Sequence, residues 1–136
     1  EQTLEKKQQA DSVNILPALT GEPSTPLRDS LVLHSFKSSH LSVRKGNWVY
    51  IPKQGSGGFK GGPGQHAAGG PKCISFVGSK NSDIANGKIR NDAPPAQLYN
   101  LENDLSQTKN LYNEYPEKVK EMQALLTSYK SKKTKP

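Results

Sequence analysis

The chain has 136 residues, of which 32% are hydrophobic, with 12 Gly, 10 Pro, a mean hydropathy of -0.78 and a formal net charge of +7. That composition fits one domain with a small core and long irregular segments, and it excludes a membrane-spanning helix, because no run approaches the roughly 20 apolar residues needed. Cys73 is the only cysteine, which excludes an intramolecular disulfide.

The first elements are modest. Residues 1–10, EQTLEKKQQA, hold little to bury and are expected to fray. In DSVNILPALTG, Asp11 or Ser12 suits an N-cap, Val13, Ile15, Leu16 and Leu19 form an apolar stripe, and Gly21 marks a stop, so a short helix is expected, either split into two short turns or starting late because of Pro17. Residues 22–29, EPSTPLRD, read as a proline-punctuated linker.

Three strands follow: SLVLHSF, HLSVRKG and NWVYIPK, with Lys45-Gly46-Asn47 turning the second into the third. Sequential strands joined tightly make an antiparallel sheet. Alternation places Leu41 with Val43 on one face and Ser42 with Arg44 on the other, and it divides Trp48 and Tyr50 from Val49 and Ile51. Residues 53–72 contain eight of the twelve glycines and read as a long loop, the core of a Gly/Pro-rich insertion over 53–95. Within it CISFVG looks like a strand fragment and IANGKI carries the Asn86-Gly87 hairpin signal, while both segments read equally well as loop ordered by a partner. AQLYNL supplies a fourth strand.

The final element is the clearest. Pro116 suits a first helical position, Glu114 and Glu117 suit the positive end of the helix dipole, and Val119, Met122, Leu125, Leu126 and Tyr129 form one stripe. An amphipathic helix of about four turns lying across the sheet follows, with residues 131–136 as a basic tail. The whole reads as a single α+β unit: a small antiparallel sheet of about four strands, a C-terminal helix packed on it, and a long Gly-rich loop insertion.

The residues assemble no catalytic centre. Gly62, Gly64 and Ala67 lack the preceding strand and following helix of a phosphate cradle. His34, His40 and His66 are spaced six and twenty-six residues apart, which matches no zinc pattern, and Cys73 adds one thiolate only. Asn100, Glu102, Asn103 and Asp104 lack the alternation and central glycine of a calcium loop and read as a polar turn. Much of the positive charge lies in the tails, at Lys6, Lys7, Lys130, Lys132, Lys133 and Lys135, where it is solvated. Basic residues interleaved with aromatics are not evident, so nucleic acid is not the expected partner.

Four segments in order resemble the sulfatase family. AQLYNLENDLSQTKNLYNEYPEKVKEMQALL, residues 96–126, is similar to that family's C-terminal signature, "LYdLenDpsEtnNLa" followed by "hPevvkemkalL". DSVNILPALTGE resembles its "DGvsLLPlLtGe" segment, RDSLVLHS its "RdeLvwhs" strand, and LSVRKGNWVYI its "aiRkGdWKlI" hairpin, with Val49 departing from the usual Lys. The resemblance implies the C-terminal subdomain of an arylsulfatase-type hydrolase, in which the polar turn joins the last strand to the terminal helix. Asn110 would anchor that turn, and Asp104 and Ser106 would bond local N–H groups.

The same resemblance implies that the formylglycine and calcium machinery belongs to an N-terminal catalytic domain lying ahead of these residues. This chain alone is then inactive, with no cofactor of its own. Its partners would be that domain, a sulfated substrate, and a second copy through apolar surface left bare, with no membrane or nucleic acid; a periplasmic or secreted location is implied. The start at Glu1 rather than Met suggests a processed product or a fragment. Ser24-Thr25-Pro26-Leu27-Arg28 satisfies [C/S]-x-P-x-R literally, but Leu27 and the following strand are wrong for the modification site, so it reads as linker. His34, Lys37 and His40 at strand ends, and Lys60 and His66 on the glycine loop, are the candidate substrate-side contacts. The alternative reading is a free-standing basic module for polyanions.

Overall fold

The computed structural model describes residues 14–21, 24–34, 41–55, 60 and 70–133. Its centre is a four-stranded antiparallel sheet built from β1 (Ser30–His34), β2 (Leu41–Lys45), β3 (Trp48–Ile51) and a fourth strand, Gln97–Asn100, in spatial order of first, second, third, fourth. The expected α+β architecture is what the chain adopts. Register pairs Val32 with Val43, Val43 with Tyr50, and Tyr50 with Leu98, which aligns four apolar residues across one face.

Gly46 makes the β2–β3 turn at φ +56, a left-handed backbone that suits a residue without Cβ. In the insertion, residues 84–89 form the expected hairpin: β4 (Ile84–Ala85) pairs with β5 (Lys88–Ile89), so the fourth strand of the main sheet is β6. Asn86 and Gly87 both have positive φ, at 51° and 68°, as the type I′ turn demands.

Two expectations change. CISFVG is not strand: Pro71–Phe76 forms a short helix, α2, started by proline at its first position, with the Cys73 N–H bonded to the Gly70 carbonyl. Alternating β-branched and aromatic residues in so short a run could not arbitrate between helix and strand. The first helix, α1, is confined to Leu16–Thr20; Asn14 Oδ1 accepts from the Leu16 N–H, and Asp11 and Ser12 lie outside the described residues. Gly21 ends it in extended rather than left-handed backbone. Contrary to the stripe read from sequence, α1 buries nothing, and Ile15, Leu16 and Leu19 are all exposed.

The C-terminal helix α3 spans Pro116–Lys133, longer at its end than the sequence suggested, since the basic tail continues the helix at residues 131–133. Val119, Met122 and Leu126 pack on Val43, Tyr50, Ala96 and Leu98, while Trp48, Leu125 and Tyr129 close the edges. Burial of each such side chain is worth about 1.5–3 kcal/mol, which makes this layer the main source of stability. The Tyr129 and Ser30 hydroxyls share a 2.8 Å hydrogen bond that fastens the far end of α3 to β1.

Candidate functional site

The sheet has two ends. At one, β1 finishes at His34, which is exposed and sits opposite Leu41. Lys60 is exposed as well, whereas Lys37, His40 and His66 lie outside the described residues, as does most of the glycine loop. Of the five candidate contacts, His34 and Lys60 are the two among the described residues. Among the described residues no group of three or more His, Cys, Asp or Glu could hold a metal ion.

At the other end the β2–β3 turn, the start of β1 and the first turns of α3 enclose an open groove of about 770 Å³. Trp48 leans on Tyr115 with ring centroids 5.3 Å apart, and Lys118 Nζ stands 5.7 Å from the indole centroid. Glu121 takes both Lys118 at 2.5 Å and Lys45 at 3.0 Å, and those two hydrogen bonds hold its carboxyl below the usual carboxylate range. The same contact raises Lys45. Four further charged groups line the groove, Arg28, Arg44, Asp29 and Glu102, and none of them forms an ion pair among the described residues. Arg44 donates Nε–H to the Gly46 carbonyl, which aims its guanidinium beside the turn.

The polar turn after β6 proves to be a junction. Asn110 uses its full side-chain capacity: Oδ1 accepts from the N–H groups of Leu98 and Tyr112, and Nδ2 donates to Asp83 Oδ2 at 2.6 Å and the Ala96 carbonyl at 3.0 Å. The resemblance anticipated this anchor. Asp104 is partly desolvated, which opposes ionisation, yet the N–H groups of Lys109 and Thr108 win and hold its carboxyl below the ordinary range. Ser106 makes no such bond among the described residues; Asn100 does, accepting from the Glu102 N–H.

Sequence reading missed the other half of this junction. Asn81 Nδ2 donates to the Tyr99 hydroxyl at 2.9 Å and the Gln107 carbonyl, Tyr99 donates to Gln97 Oε1, and buried Gln97 donates to the carbonyls of Lys53 and Gly55. Asp83, also buried, accepts from Ser82 and Asn110. Burial pushes the Tyr99 phenol well above its usual range. The one sequence signal was Gln97, a polar residue at the start of the strand just before the apolar Leu98 and Tyr99. This network stitches the insertion to β6, closing that edge of the sheet.

A sulfatase of Bacteroides thetaiotaomicron, solved in connection with the metabolism of multiple glycosaminoglycans, has a similar fold, with a TM-score of 0.57 and 24% identity. The match covers 96% of this chain and 22% of that one, so the chain spans about a fifth of the length of the structure it resembles. No family model and no curated protein sequence matches the chain. Sheet, hairpin and terminal helix together are thus a fold found within a sulfatase.

Proposed function

We propose that this chain is the C-terminal part of an arylsulfatase-type sulfuric ester hydrolase, where it supports a catalytic domain and completes one wall of the substrate cleft. The observation that carries the reading is that almost all of the chain matches one fifth of a sulfatase. Two surfaces agree with it. Helix α1 is five residues long with no buried side chain, too short to persist unless its apolar side packs on something else. Leu31 and Leu33 of β1, on the face away from α3, are 40% and 43% exposed beside the buried Val49 and Ile51.

Formylglycine and calcium would come from the remainder of such a protein, and no residue here is assigned to either. The neighbour's connection with glycosaminoglycans makes sulfated glycans a reasonable substrate class for the parent, and its natural setting would be the periplasm or the cell exterior. No helix among the described residues is long and apolar enough to cross a membrane. His34 and Lys60, with Lys37, His40 and His66, are the substrate-side contacts we propose, since cations near a sulfate form the stronger, charge-assisted hydrogen bonds. The polyanion-module reading draws less from the fold, because Lys45, Lys109, Lys118 and Lys120 are each already paired with a glutamate.

Incubation of the isolated chain with calcium and a chromogenic aryl sulfate should release no product, while a polypeptide that also includes the region encoded ahead of Glu1 should. Turnover by the isolated chain, or none by the longer one after verified formylglycine formation, would contradict the proposal. In the longer protein, His34→Ala and Lys60→Ala should raise KM for sulfated substrates with little change in kcat.

A further inference from the structure

The two edges of the main sheet differ in how their backbone is satisfied. At β6 the chain covers its own edge: the Leu98 N–H donates to Asn110 Oδ1, and the Leu98 carbonyl accepts from the Leu111 N–H. At β1, beyond the ladder with β2 and the Tyr129 hydroxyl 3.5 Å from the Ser30 carbonyl, no backbone group has a hydrogen bond among the described residues. An open edge of this kind is a template for another strand. The features that ordinarily blunt such an edge are missing from SLVLH, which holds no proline, glycine, acid or lysine. Its five residues pair with β2 in unbroken register, so no bulge turns it away.

The strand that fits this edge best is β1 itself. Closed homodimers form about a two-fold axis, and an axis normal to the sheet keeps the faces of both copies aligned, so an antiparallel pairing has to be centred on a residue. Centring on Leu31 or Leu33 pairs only the middle or end of the strand. Centring on Val32 engages all of it: Val32 meets Val32, Leu31 meets Leu33 of the second copy, and Ser30 meets His34. Leu31 and Leu33, exposed on the face away from α3, then gather as four leucines across the seam, with no lysine, arginine or acid of β1 between them. The two α3 helices, each fastened at Ser30, stand about 14 Å apart along the seam, more than the roughly 10 Å diameter of a helix. We propose that two copies of this chain pair antiparallel through β1, centred on Val32, to make one continuous eight-stranded sheet. Edge pairing leaves the Leu31 and Leu33 face open to a larger domain, so the proposal does not depend on the sulfatase reading.

A seam this short is well below a standard interface, so sedimentation of the whole chain should show a monomer at about 5 µM and a dimer forming with a Kd of about 100 µM. Leu31→Lys with Leu33→Lys should abolish the dimer, because like charges then sit directly opposite, and Leu31→Glu with Leu33→Glu should do the same. Mixing the two double variants should restore it. Both positions are exposed, so each variant should keep a Tm close to that of the wild type. The register has its own test in a Cys73→Ser chain with oxidised glutathione as the oxidant. Val32→Cys should close an intermolecular disulfide, because its two Cα atoms lie about 4.5–5.5 Å apart at the centre of the seam. Leu31→Cys should not, because its two Cα atoms are about 8 Å apart.

Several outcomes would overturn the proposal: a monomer up to about 1 mM chain, a dimer that survives the lysine pair and so forms through another surface, such as the exposed Phe76 and Val77, or a Leu31→Cys disulfide that closes as readily as the Val32→Cys one. None of them bears on whether the chain belongs to a sulfatase, which the turnover experiment decides separately.

Discussion

On the face of the sheet that carries α3, Val43, Tyr50 and Leu98 meet Val119, Met122 and Leu126 with almost no polar atom between them. On the opposite face, Val49, Ile51 and Tyr99 cluster with Leu101, and Tyr99 is tied to the insertion by a hydrogen-bond network that includes Asn81 and Gln97, with Asn110 bonded to Asp83 beside it. Burial on the first face is non-directional and insensitive to small shifts, whereas the second depends on every partner being present. The second face is also only half covered, because Leu31 and Leu33 stay exposed at the β1 edge while the β6 edge is closed by Asn110 and by the Leu111 N–H bonded to the Leu98 carbonyl. Among the described residues the first face is covered by α3, whereas the second keeps Leu31 and Leu33 exposed.

The contrast can be broken first at the helix face. Leu98→Ala or Met122→Ala should cost about 2–5 kcal/mol, seen as a fall of roughly 10 °C or more in Tm, because both side chains are fully enclosed and their loss leaves a cavity. Asn110→Ala should cost about 2–3 kcal/mol, since four partners lose their hydrogen bonds at once, and limited proteolysis should then open the insertion before the sheet.

Tyr99→Phe removes the link between Asn81 and Gln97 at about 1 kcal/mol. Its pH signature is distinct. Burial raises the folded phenol above its unfolded value, so the unfolded chain loses its proton first and stability falls as pH rises beyond about 10. Tyr99→Phe should flatten that alkaline loss, with the contribution of Tyr50, also raised by burial, remaining. The smallest effect belongs to Glu121→Gln, about 2 °C or less in Tm, because the ions it joins are exposed to solvent. The depressed carboxyl gives the wild type a minor advantage present at neutral pH and lost as pH falls through the carboxylate range.

The helix face was legible in the sequence because period and composition decide it: alternation in HLSVRKG and NWVYIPK fixed which residues turn inward, and the spacing of Val119, Met122 and Leu126 fixed the helix stripe. Asn86-Gly87 carried a hairpin signal, since few residues tolerate two successive left-handed positions, but the segment read equally as loop ordered by a partner until β4 and β5 were seen paired. The polar junction was half legible. Asn110 and Asp104 stood out through the family pattern, but Asn81 and Asp83 sit about 27 residues away, and no local rule ties a side chain to backbone that distant. The groove escaped notice for the same reason, since Arg28, Arg44, Trp48 and Glu102 converge only once three elements are in place. CISFVG failed because short apolar runs carry no decisive period.

The most direct test of the account compares hydrogen exchange in the isolated chain with exchange in a polypeptide that includes the region encoded ahead of Glu1. Amides of α1 and of β1 around Leu31 and Leu33 should become markedly slower to exchange in the longer protein, while those of β3, β6 and α3 stay as they were. Equal exchange at α1 and β1 in both would mean that nothing docks there, and would contradict the view of this chain as one layer of a larger hydrolase.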